Sequence, residues 1–159
     1  MAVDGCAIAR YRWRMKKSKP DTDEINALRL IRGRALKQGD KLTANKTLRE
    51  ISVIIADEYK DDPVEYLFYQ SLAAREELLF EKHGHHQTAG RTRKSISENT
   101  LLPCLELWAG AKEPTSGFVS LVGNDLSDLT AEAIVLMHPE GFSAETLATA
   151  QKRLDECVR

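Results

Sequence analysis

The stretch DPVEYLFYQSLAAREELLFEKHGHH, residues 62–86, decides how the rest of the chain is read. Asp62 followed three residues later by Glu65 is a capping-box pattern, and Pro63 stands at the first helical position, where its missing N–H has no intrahelical partner to lose. Val64, Leu67, Phe68, Leu72, Leu78 and Leu79 recur at spacings of three, four or their multiples, which places them on one face of a helix. Tyr66, Tyr69, Ala73, Ala74 and Phe80 widen that face over much of the circumference. The segment therefore predicts a central helix, 62–82, with other helices packed on more than one side. Gly84 supplies the left-handed residue that ends it.

Working outward, the same logic marks further helices. Asp21 and Glu24 form a D-x-x-E cap for a first helix that ends by Gly39, with Ile25, Leu28, Ile31, Ala35 and Leu36 as its apolar stripe. Thr47 and Glu50 cap a second, to Tyr59, burying Leu48, Ile51, Ile54 and Ile55; the ISVII run inside it is β-like, but cap and period favour helix. Residues 83–94, HGHHQTAGRTRK, lack apolar periodicity and read as a surface loop. Ser95 and Glu98 offer one start for the next helix. A start at Thr100 keeps Pro103 in the first turn, where it is tolerated, and lets Gly110 end the helix. Residues 112–125 read as loop with at most a minor strand near 117–122. Two last helices, Thr130–Met137 and Ala144–Val158, follow, the second capped by Ser143. The fold expected is mainly α, a single-domain helical bundle of five or six helices around 62–82, spanning 21–159 behind a flexible basic arm, 1–20.

Composition agrees with this class. At 159 residues the chain has the length of one domain, and 42% hydrophobic with 30% charged residues is ordinary for a globular protein. No apolar run approaches the ~20 residues of a membrane span, and the N-terminus does not read as a secretory signal. Met15 is a candidate natural start. Cys6, Cys104 and Cys157 are odd in number and without a C-x-x-C pair, which suggests reduced thiols and a cytoplasmic setting.

The net charge of −1 conceals an asymmetry. From Arg10 to Lys37 ten Lys/Arg stand against three Asp/Glu, and from Glu106 to the end four stand against nine. Such polarity either offers a basic surface to an acidic partner or is neutralised within the fold. The arm carries the better nucleic-acid signal: Arg10, Arg12 and Arg14, with Lys16 and Lys17, suit phosphates, and the interleaved Tyr11 and Trp13 suit unpaired bases. Arg29 and Arg32, one turn apart, extend this surface along the first helix, and Arg91, Arg93 and Lys94 supply a second contact. The competing reading is a solvated tail.

Other chemistry is thinner. His83, His85 and His86 are the only dense set of potential metal ligands, and their place beside a glycine reads more readily as exposed loop than as a metal site. There is no G-x-S-x-G, no Walker glycine loop, no H-E-x-x-H and no dinucleotide fingerprint, so neither catalysis nor a cofactor is expected. Ser143–Leu154 resembles the third helix of winged-helix DNA readers, a helix-turn-helix likeness covering under a quarter of the chain. Glu145, Asp155 and Glu156 offset Lys152 and Arg153 there, which favours a helical hairpin closing the core. The function expected is a nucleic-acid-binding accessory or regulatory protein. The alternative is a protein–protein interaction module, an adaptor or inhibitor acting through an apolar helix face.

Overall fold

A computed structural model describes residues 22–157; the arm, 1–20, lies outside them. The described residues form eight α-helices and three 3-10 turns, without a strand. That is mainly helical, as expected, but with more and shorter helices than the five or six read from the pattern.

Helix α1, Asp23–Lys37, is capped by Thr22, whose hydroxyl accepts from the Ile25 N–H at 3.3 Å. Asp23 and Glu24 in its first turn and Arg34 and Lys37 in its last complement the helix dipole. Helix α2, Lys41–Ala56, starts earlier than Thr47. Asp40 accepts from the Thr43 N–H at 3.0 Å, while Thr47 sits buried nearly two turns in and donates its hydroxyl back to the Thr43 carbonyl. Helix α3, Pro63–His83, has the boundaries its signals dictate. Asp62 Oδ1 accepts from the N–H groups of Val64 and Glu65 at 2.9 and 3.0 Å, and Gly84 closes the helix at φ +73°.

Two segments depart from the sequence reading. The expected loop 83–94 turns helical at Gly90, and α4 spans Gly90–Asn99. The cause is a contact no local pattern reveals: Glu76 of α3 accepts from the Ala89 N–H at 2.8 Å and from Arg93 at 2.7 Å, while Ile96 is buried. Ser95 is not a cap but donates within α4 to the Arg91 carbonyl. Residues 117–122 are not a strand but most of α6, Ser116–Val122. Thr115 accepts from the Phe118 N–H at 3.1 Å, and Phe118 and Leu121, one turn apart, are buried. Between these lies α5, Leu101–Ala109, with Pro103 in its first turn. Helix α7, Ala131–Met137, is capped by Thr130. Helix α8, Ala144–Cys157, has the Ser143 hydroxyl accepting from the Thr146 N–H at 3.2 Å.

Helix α3 packs against α2, α6 and α7, and α1 packs against α2. Its Phe68 and Leu72 join a cluster with Leu105, Ala109, Ile134 and Ala150, while its Ala74 joins a second with Leu48, Leu121, Leu126 and Leu129. The wide apolar arc of α3 thus faces two sets of neighbours. Among the described residues no helix is long and apolar enough to cross a membrane.

Candidate functional site

The basic residues named from sequence divide sharply. Arg10, Tyr11, Arg12, Trp13, Arg14, Lys16 and Lys17 lie outside the described residues. Arg29 and Arg32 do not form an outward strip. Arg29 donates to both carboxylate oxygens of Glu77, at 3.0 and 2.6 Å, and its guanidinium lies 5.1 Å from the Phe80 ring centre. Arg32 is 3% exposed, pairs with Glu81 and donates to the Ala44 carbonyl at 2.5 Å. Arg93 is held by Glu76. Three carboxylates of α3 thereby tie α1 and α4 to the central helix. Arg91 and Lys94 remain exposed, one turn apart on α4, with Lys94 3.9 Å from Glu98.

With Arg29 and Arg32 turned inward, a different set of cations faces out. Arg34, Lys37, Lys41 and Lys46, around the α1–α2 turn, are all exposed and take part in no ion pair among the described residues. Two leucines stand among them, Leu36 at 46% and Leu42 at 83% exposure. The buried face of α1 is Ile25, Arg32 and Ala35, so Ile31 and Leu36, expected in the core, lie on the surface.

A cleft of about 200 Å³ opens where α3, α4, α5, α6 and α7 meet. Phe68, Leu72, Leu105, Trp108 and Phe118 form its apolar wall, and Arg75 and Arg91 stand at it together with Ser116. Arg75 Nη2 donates to Ser116 Oγ at 2.9 Å. Gly117 lies so close that a Cβ there would come 2.7 Å from Arg75 Nη1. Half-buried, Arg75 has its pKa lowered by desolvation, with the neighbouring Glu76 opposing. It forms no ion pair among the described residues, since Glu76 is engaged by Arg93. Sequence reading named Arg91 and missed Arg75, which inside AAREELL looks like one more surface charge. The available signal was its spacing: three residues after Leu72, seven after Phe68 and four before Leu79, Arg75 falls in the middle of the apolar stripe of α3.

The remaining candidates stay apart. His85 Nδ1 lies 3.0 Å from the His83 carbonyl oxygen and His86 packs 4.7 Å from the Phe80 ring; among the described residues no His, Cys, Asp or Glu group is placed to hold a metal ion. Cys104 is buried, and burial raises its thiol pKa, away from nucleophilic use. On α8, Arg153 points inward to Glu132 and the Ala111 carbonyl, leaving Lys152 exposed. Comparison with known proteins finds no matching family model, no similar curated protein and no similar solved structure.

Proposed function

We propose that this chain is a non-catalytic nucleic-acid-binding protein of an accessory or regulatory kind, acting in the cytoplasm. The observation that carries the reading is the cationic tip of the α1–α2 hairpin. Arg34, Lys37, Lys41 and Lys46 are exposed without acidic partners among the described residues. The arm residues Arg10, Arg12, Arg14, Lys16 and Lys17 precede α1 in sequence and are basic as well. Polyphosphate binding is driven by release of counterions, so clustered, unpaired cations are what it requires. Within the described part of the basic segment, Arg29 and Arg32 pair with Glu77 and Glu81 of α3 and not with the acidic C-terminal segment. The same reading takes residues 21–159 as a single domain, a bundle around α3, supported by the contribution of α3 to both apolar clusters.

The test is the salt dependence of oligonucleotide binding. Replacing Arg34, Lys37, Lys41 and Lys46 together by Gln lowers the log–log salt slope by roughly one unit for each phosphate that is no longer neutralised. Starting the chain at Met15 removes Arg10, Arg12, Arg14 and Trp13, and it weakens single strands more than duplex because Trp13 stacking needs an exposed base. If the full chain binds no oligonucleotide, or both variants bind with an unchanged slope, the reading falls.

A second reading has its own observation. Leu42 at 83% exposure, beside Leu36 in the midst of the cations, suits an acidic protein surface with an apolar centre. For such a partner Leu42→Asp abolishes binding, because it places a charge at the apolar centre of the contact. On nucleic acid the same substitution costs only its added charge.

A further inference from the structure

We infer that the cleft between α3 and α6 is a binding site for a small ligand made of one apolar ring or short acyl body and one oxyanion, seated body inward with the oxyanion on Arg75. This site is distinct from the cationic hairpin tip and stands whether or not nucleic acid binds there.

The other buried or half-buried arginines among the described residues are satisfied by carboxylates. Arg29, Arg32, Arg49, Arg93 and Arg153 each meet a carboxylate, of Glu77, Glu81, Asp128, Glu76 and Glu132. Arg75 is the exception among them. Its hydrogen bond goes to a neutral hydroxyl, and the residues lining the cleft beside it include no Asp or Glu. A guanidinium partly withdrawn from water, with no carboxylate hydrogen-bonded to it among the described residues, is held at a cost that an anionic ligand relieves. Arg91 lines the same cleft, so a second cation is available to the same oxyanion.

The geometry keeps that position open. Ser116 fixes one guanidinium nitrogen, leaving the others to donate, and Gly117 provides room that any side chain would take from Arg75 Nη1. Behind the cation the wall is apolar and aromatic, with Phe68 and Trp108 stacked at 6.2 Å between ring centres. Size sets the class of ligand. An apolar cavity of about 150 Å³ holds one benzene ring, and drug-sized ligands need about 300 Å³ or more. About 200 Å³ therefore takes one ring or a short chain, with the oxyanion at the cationic edge.

The experiment uses the full chain with Trp13→Phe, so that Trp108 is the remaining tryptophan and reports from the cleft wall. Phenylacetate, phenyl phosphate, benzyl alcohol and inorganic phosphate are titrated by fluorescence and calorimetry. At least one of the two aryl anions should bind and shift Trp108 emission, with benzyl alcohol and inorganic phosphate each weaker by about tenfold or more. Which aryl anion binds better identifies a carboxylate or a phosphate as the natural head group. Arg75→Gln should remove the preference for the anion while leaving benzyl alcohol binding and the melting temperature unchanged. Gly117→Ala, which displaces the guanidinium, should weaken the anion in the same direction. Oligonucleotide binding measured on Arg75→Gln should be unaltered, which separates this site from the hairpin tip. Equal binding of benzyl alcohol and the aryl anions, equal binding of inorganic phosphate, indifference to Arg75→Gln, or no binding at millimolar concentration each overturns the inference.

Discussion

Arg32 and Arg34 stand two residues apart and meet opposite surroundings, so substitution at each has a different expected cost. Arg32 is buried, neutralised by Glu81, and its Nη1 donates to the Ala44 carbonyl. Arg32→Met should destabilise by about 3 kcal/mol in urea unfolding, because it strips a partner from a carboxylate and a donor from a buried carbonyl. Arg34→Ala, on the exposed side, should stay within about 0.5 kcal/mol. Glu132 offers a pH-dependent case. It is 1% exposed; its Oε1 accepts from Arg153 at 2.6 Å and its Oε2 has no hydrogen-bond partner among the described residues. Burial raises its pKa above the ordinary 4.5, with Arg153 pulling the other way. The folded protein then holds this proton more tightly than the unfolded chain. The stability that follows is full below the unfolded value of 4.5 and is lost as pH rises through the raised folded value. Glu132→Gln removes the titration, so wild type should lose stability relative to this variant as pH is raised from about 4 to about 7. Urea midpoints across that range check it, and a pH-independent difference would show that Arg153 holds the charge fully.

Thr100 joins α4 to α5 at φ +66° and ψ 172°, a conformation that suits glycine and strains a β-branched residue. Thr100→Gly should therefore raise stability by about 1 kcal/mol, relief of strain exceeding the added freedom of the unfolded chain. A lower melting temperature for this variant would mean that the threonine side chain contributes more than its backbone costs. The helices legible in sequence are those whose start is a side-chain cap followed at once by a 3.6-residue period, as at Asp62, Thr130 and Ser143. At α2 the cap read at Thr47 is not the one used: Asp40 caps the helix, which thereby gains nearly two turns before Thr47 and buries Ala44. Helix α4 was illegible because it docks through Ile96 and the Arg93–Glu76 pair, 17 residues apart, so no apolar stripe exists to find. The orientation of α1 was misread by about one residue. Arg32 lies four after Leu28 and three before Ala35, squarely on the stripe, and charge alone had assigned it to solvent. Arg75 escaped for the same reason: it lies three after Leu72 and four before Leu79, on the apolar stripe, and charge alone makes it look like a surface residue.

Across the whole molecule, α3 is shared between two apolar clusters, and this bears on whether the helices unfold together. Leu48 brings α2 into the cluster that holds Ala74, while Leu72 lies in the cluster of Leu105 and Ile134. Arg29 and Arg32 fasten α1 to α3, and Arg49 fastens α2 to Asp128 at 2.6 Å, in the turn before α7. The Arg49 pair is exposed and adds little, so the joint rests on α3 and on the two part-buried pairs. Loss of either cluster exposes part of the same helix and weakens the other. We therefore predict one cooperative transition. In the Trp13→Phe chain, heating followed by far-UV circular dichroism and by Trp108 fluorescence should give coincident curves. The two signals sample different parts: α1 and α2 contribute 15 and 16 helical residues to the first, while Trp108 packs 6.2 Å from Phe68 in the cluster without them. Leu48→Ala and Leu72→Ala, at 0% and 3% exposure, should each destabilise by about 2–5 kcal/mol. Each should move both curves by the same amount, although the two leucines lie in different clusters. An α1–α2 hairpin that melts first would appear as ellipticity lost before Trp108 responds, with Leu48→Ala shifting only that early phase. The hairpin would then be a separate unit, and the reading of residues 21–159 as one domain around α3 would fail.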